Sequence, residues 1–297
     1  MRIDVHQHIW TRGFVDALRA RTTAPYLDGW TLYLDGEEPF AANPLDHDVD
    51  HRLTLNQDLD LALVSLSSPL GVEHLPPADA WPLLDAYHDG ALELPTSFRA
   101  WASTCVTEVD ATRTAKELDR GFVGLQLPAT SLLDATAYAR LAPLLDLLED
   151  RDRPLFVHPG PASAPGTPPW WAAVVPYVQQ MHASWYAFRA FGRPRHPRLR
   201  VCFALLGGLA PLHVERLIAR GGSARGAVDP DAFLETSSYG HQAIDAITRA
   251  VGVEVVVLGS DRPYAAPAET LLGEAAARTM SVTNPMRLLK MEGAVPR

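Results

Sequence analysis

Short, nearly all-apolar runs recur along the chain, and longer segments with helical spacing of apolar positions separate them. The runs at 3–8, 61–66, 98–104, 122–127, 155–158, 199–205, 233–236 and 253–258 predict eight strands. Their apolarity is close to continuous, as expected of parallel strands covered on both faces. Segments 134–151, 211–220 and 266–280 predict helices, the last with Pro267 in its first turn. Eight strand–helix alternations imply an α/β chain folded as a (β/α)8 barrel, or else an open doubly wound sheet.

Two stretches break the rhythm. Residues 22–48 alternate apolar and polar and turn at Asp35-Gly36, which predicts a small hairpin after strand one. Residues 159–197 start as a Pro-rich loop and continue as an aromatic-rich helix over 170–191, after strand five. In a barrel both insertions overhang the catalytic face. No internal repeat or linker is visible, so residues 1–297 are expected to form one domain.

Polar residues at strand ends supply candidate chemistry. His6 and His8 are two apart on strand one and share a face, with Asp4 before them. Three polar side chains in a row on an inward face are costly without a partner, and a metal is one such partner. Strand five ends in His158, which either binds the same ion or merely hydrogen-bonds the following loop. After strand eight comes Gly259-Ser260-Asp261-Arg262-Pro263. Asp261 is there either a ligand and proton carrier or an N-cap.

Composition narrows the classes. The chain has 297 residues, 47% of them hydrophobic, enough for one barrel of roughly 250 residues plus insertions. Net charge is −9 and the basic residues are scattered, which argues against a nucleic-acid partner. No apolar run approaches a membrane span, and the N-terminus lacks a secretory pattern. Cys105 and Cys202 each sit in apolar surroundings, as buried thiols do in a reducing compartment. The expectation is a cytoplasmic protein acting on a small molecule, with no membrane partner.

Taken together, Asp-x-His-x-His near the N-terminus, His158, Gly207-Gly208-x-x-Pro211 and Gly259-Ser260-Asp261-x-Pro263 resemble the amidohydrolase superfamily. More narrowly, the chain is similar to its "amidohydrolase 2" branch, which includes aminocarboxymuconate-semialdehyde and γ-resorcylate decarboxylases. The resemblance implies a distorted TIM barrel holding one divalent metal on His6, His8, His158 and Asp261. Zinc is expected first, with manganese or iron as alternatives; relatives are often homodimers. Asp261 is the expected catalytic group, with Trp10, Gln126, Trp170 and Arg262 against the substrate. The implied activity is hydrolysis of a small amide, lactone or carboxylate substrate; the alternative is non-oxidative decarboxylation of an aromatic or unsaturated acid.

The sequence departs from the family pattern at one position. Leu205 stands where strand six usually carries a histidine, and a leucine neither binds metal nor moves a proton. His182 or His241 would have to reach the site, or Asp261 act alone, or the barrel have become a non-catalytic binding protein. His213 reads as a surface or packing residue, and His47, His51, His74 and His88 as solvated or capping side chains.

Overall fold

The computed structural model describes residues 1–223, 228–267 and 271–291. In chain order the strands are β1 (Ile3–Gln7), then β2 (Tyr26–Asp28), β3 (Thr31–Tyr33) and β4 (Phe40–Ala41) in the first insertion. They continue as β5 (Leu61–Val64), β6 (Phe98–Ala100), β7 (Leu125–Pro128), β8 (Leu155–His158), β9 (Val201–Phe203), β10 (Ala232–Glu235) and β11 (Val256–Val257). Every one of the eight predicted strands is present.

The eight parallel strands form two sheets, β1-β5-β6 and β11-β10-β9-β8-β7. Isolated bridges join the sheets at both edges, Ala102 with Leu125 and Gln7 with Arg262. The second edge is reinforced where Val5 N–H donates to Leu258 O and Asp261 N–H to His6 O, both at 2.9 Å. The strands therefore ring a common interior, as an interrupted barrel. The interruptions follow from sequence. After β6 comes Trp101, whose buried ring stacks on Phe156 (centroids 5.2 Å) and whose Nε1–H donates to Val5 O. That aromatic pair plugs the barrel beneath the C-terminal strand ends.

Most strands are shorter than their apolar runs. Val253–Val255 winds into a helical turn and leaves two residues to β11, and the fourth run pairs in its strand only from Leu125. One extra β1 residue lies between the pairs Asp4–Ala62 and Gln7–Val64, a bulge that re-aims side chains next to the site.

Helices end where their caps dictate. Ala135–Asp150 begins at Asp134, whose carboxylate accepts from Ala137 N–H at 2.8 Å. The segment expected as a helix over 266–280 starts only at Glu274, and its residues 268–270 lie outside the described residues. Pro267 therefore does not open that helix.

The first insertion is a three-stranded antiparallel sheet, β2-β3-β4. Its tight turn is at Gly29, where φ is +59°, and Asp35-Gly36 lies in the longer β3–β4 connection instead. The second insertion forms helices Trp171–Val174 and Pro176–Ala187. Among the described residues no helix is long and apolar enough to cross a membrane, and both cysteines are buried and free.

Candidate metal centre

His6 and His8 project from the end of β1, His158 from the end of β8, and Asp261 from the segment after β11. Their nearest ligand atoms all lie within 4.8 Å of one another. His6 Nε2 is 3.0 Å from His8 Nε2, and Asp261 Oδ1 is 3.1 Å from His8 Nε2 and 3.4 Å from His6 Nε2.

Each ring is held from behind. His6 Nδ1–H donates to Glu235 at 3.1 Å, His8 Nδ1–H to Ser65 O at 2.9 Å, and His158 Nδ1–H to Pro159 O at 2.8 Å. With all three Nδ1 hydrogens directed outward, every inward atom is an acceptor. Three nitrogen lone pairs and a carboxylate facing one another repel unless a cation lies between them. Metal bonds of about 2.1 Å would separate ligands by about 3.0–3.4 Å, so the His6, His8 and Asp261 spacings fit a metal ion.

The protonation tendencies follow from the same geometry. Burial holds His8 and His158 below the ordinary imidazole value, His158 strongly. Burial also opposes a charged His6, but Glu235 and Asp261 outweigh it and raise its pKa. For Asp261, burial pushes upward and the three imidazoles win, leaving it at about 2. Asp261 is therefore an anion, set against His8 and His158, which prefer to stay neutral, and His6, which Glu235 and Asp261 draw toward its charged form.

Glu235 is the residue that sequence reasoning missed. It is fully buried at the end of β10 and accepts from His6, from Ser237 N–H and from Ser237 Oγ–H (2.7 Å). Gly259 makes room for it, since a methyl group there would sit 2.1 Å from Glu235 Oε1. An available signal was a carboxylate at the end of an apolar strand, the same pattern that singled out His158. Asp4 is not a ligand; it accepts from Ser260 N–H (3.0 Å) and Gln7 Nε2–H (2.8 Å) and ties β1 to the Asp261 segment. Asp261 itself adopts a left-handed backbone, φ +58°, an uncommon conformation that aspartate tolerates better than most residues.

A cavity of about 490 Å³ opens above the cluster, walled by the hairpin and by the second insertion. Trp10 lines it, backed by His47, which stacks on the indole at 4.4 Å and accepts from Trp10 N–H. His47 is thus buried, not solvated, and so is His88, whose Nε2 accepts from Ser103 N–H at 3.0 Å.

Other expected contacts are absent from the cavity wall. Gln126 is buried in the barrel, where its amide donates to Leu66 O and Ser68 Oγ. Trp170 is 55% exposed beside Trp171, because the wall there is formed by neighbours such as Pro168 and Ala173. Arg262 turns away to Leu55 O (2.7 Å) and Asn56 Oδ1 (2.6 Å). These three are not placed to touch a substrate in the cavity.

Leu205 does line the cavity, at 8% exposure. It opens a run of left-handed backbone through Leu209, and the Gly207-Gly208 pair within it lets the Pro176–Ala187 helix approach closely. A Cβ on Gly208 would lie 2.5 Å from Val178 O. Neither alternative histidine replaces it. His182 packs edge-on against His213 at 4.9 Å, and His241 is exposed at the start of helix His241–Val251.

The same architecture occurs in solved enzymes. An IDCase from Metarhizium anisopliae superposes with a TM-score of 0.78 at 15% identity, covering 99% of this chain and 98% of that one. A solved amidohydrolase II shares this fold at 16% identity, with a TM-score of 0.70. A 2,6-dihydroxybenzoate decarboxylase from Rhizobium matches with a TM-score of 0.69, 18% identity and coverage of 98% and 99%. A 5-carboxyvanillate decarboxylase from Novosphingobium aromaticivorans, holding manganese and 4-hydroxy-3-methoxy-5-nitrobenzoic acid, matches with a TM-score of 0.69, 18% identity and coverage of 98% and 96%. No family model matches the sequence, and no curated protein matches it. At these identities the amidohydrolase likeness is one of fold.

Proposed function

We propose that the protein is a divalent-metal-dependent decarboxylase of small aromatic or unsaturated carboxylic acids, with His6, His8, His158 and Asp261 as the metal ligands. The observation that carries this is the set of four converging acceptors at the floor of a largely apolar cavity. The likeness of the whole fold to decarboxylases supports cleavage over hydrolysis, the activity placed first from sequence motifs. Manganese in one of those enzymes supports manganese as well as zinc.

When bound, the ion would supply positive charge to hold an anionic substrate head and to stabilise charge that develops on it. The chain's own residues do the rest. Glu235, Ser65 and Pro159 fix the three rings. Trp10 and Leu205 form walls that exclude water, which strengthens electrostatics at the floor. Asp261 is the group positioned to carry a proton: Oδ1 faces the rings while Oδ2 lies 3.4 Å from Ser238 Oγ on the cavity side. As the bond to the carboxylate breaks, its electron pair stays on the substrate carbon, and a proton that Asp261 takes from solvent water and passes on completes that carbon while carbon dioxide leaves. The exchange takes one proton carrier, and Leu205 in the wall supplies no second.

The test is incubation of manganese- or zinc-loaded protein with hydroxybenzoates, 2,6-dihydroxybenzoate included, following carbon dioxide release and product by chromatography. Metal-dependent loss of the carboxylate, abolished in Asp261→Asn with metal largely retained, is the expected result. Turnover of amides or lactones without any decarboxylation would replace this assignment with hydrolysis. Full metal loading with neither activity would favour a binding protein.

A further inference from the structure

The cavity has a charge pattern of its own. Among its described lining residues there is no lysine or arginine, and the acids beyond Asp261 are Glu37 and Glu38 of the β3–β4 connection. The two nearby guanidiniums are committed elsewhere. Arg262 turns outward, and buried Arg52 donates to His8 O (2.6 Å), Asp46 O (3.1 Å) and Gln7 Oε1 beneath the site.

Glu37 occupies a defined place. Burial raises its pKa while the Ala162 amide facing it opposes that shift, so the hairpin is joined to the loop after β8. Gly36 O also accepts from Ala164 N–H, at the same seam. Tyr177 reaches the cavity from the second insertion; burial, and then the charges of Glu37 and Asp261, keep its phenol protonated and hence a donor. The rest of the lining is largely apolar, with Leu32, Leu34, Leu70 and Pro168 in it.

We propose that the cavity is built for a monocarboxylate, with its acidic head at the four-ligand centre and a neutral or hydrogen-bond-donating group beside Glu37 and Tyr177. Glu37 is the specificity residue: it disfavours a substrate with a second, distal carboxylate. This deepens the decarboxylase assignment and rests on it. Among the described lining residues the cavity offers no cation, so the positive charge at the floor would be that of a bound ion, which the first carboxylate uses. A second carboxylate would leave water to face Glu37 with no cation opposite, a like-charge contact that discriminates strongly against the wrong partner. An alcohol, phenol or ammonium at that position would instead donate to Glu37.

The experiment uses the manganese-loaded full chain and a matched set. 2-Hydroxybenzoate, 2-hydroxyterephthalate and 4-(aminomethyl)-2-hydroxybenzoate share one chelating head and differ only at the far end. Equilibrium dissociation constants are measured by calorimetry for wild type, Glu37→Gln and Glu37→Lys, with metal stoichiometry and circular dichroism checked for each. Wild type should bind 2-hydroxyterephthalate about tenfold or more weaker than the other two. Glu37→Gln should shrink that gap, and Glu37→Lys should invert it; if the lysine variant does not fold, the glutamine variant decides alone. A gap that is absent in wild type, or unchanged in the variants, overturns the role of Glu37 while leaving the decarboxylase assignment standing. Normal metal uptake with no binding of any of the three compounds overturns both.

Discussion

Glu235→Gln tests how the metal centre is assembled. Glutamine has nearly the same shape, so packing against Gly259 is retained. What changes is the pattern of donors. Glu235 accepts from His6 Nδ1–H and Ser237 Oγ–H on one oxygen and from Ser237 N–H on the other. In the amide, the NH2 group must face either His6 and Ser237 Oγ or the Ser237 amide, and each orientation sets a donor against a donor. Relief comes if His6 moves its hydrogen to Nε2, the nitrogen that faces the centre, or if the ring rotates. Either removes one ligand lone pair from the cluster. Loss of such a carboxylate partner behind a ligating histidine typically weakens metal binding by about 10- to 100-fold, or roughly 1.4–2.7 kcal/mol. The assay is competition with a chromophoric chelator for manganese and zinc, with thermal melts in the presence and absence of metal. The affinity should fall in that range, and the metal-induced rise in melting temperature should shrink with it, since stabilisation follows the logarithm of metal over Kd. An unchanged metal Kd in a folded variant would refute the claim that Glu235 sets the His6 tautomer.

Three other perturbations reach different parts of the structure. Gly259→Ala should weaken metal uptake as Glu235→Gln does, because the added methyl would displace Glu235; unaltered metal titrations would count against that steric account. Leu205→His should tighten metal binding by about tenfold without lowering the melting temperature, since histidine tolerates the φ of +51° better than leucine. Unchanged affinity would show that position 205 does not face the ion. His88, brought down to about 3 mainly by burial, is neutral when folded and titrates near 6.5 when unfolded. Its folded-state pKa is depressed, so stability is full above pH 6.5 and falls as the unfolded chain takes up the proton. Urea denaturation should show a loss of up to about 1.4 kcal/mol per pH unit between pH 6 and pH 4 that His88→Gln lacks. Parallel curves for the two proteins would contradict it.

By itself the sequence determined the parts that depend on local pattern. Apolar runs marked all eight barrel strands, because a strand buried on both faces has no polar alternative. Two-residue spacing put His6 and His8 on one face, and strand-end positions singled out His158 and Asp261, four residues that the fold brings within one ion's reach. Strand ends were overestimated where apolar residues serve a plug, as at Trp101, or a helical turn, as at Val253–Val255. Tertiary structure alone decided what lies behind and above the cluster. Glu235 meets His6 across 229 residues of sequence, and nothing local to either residue states that pairing. Gln126 and Arg262 have the right chemistry for substrate contact, yet neighbours 60 and 207 residues away claim their donors. His47 and His88 occupy helical and loop positions that look exposed in one dimension and are buried in three. Local periodicity records which way a side chain leaves its own strand or helix, whereas its partner is chosen by the closing of the ring.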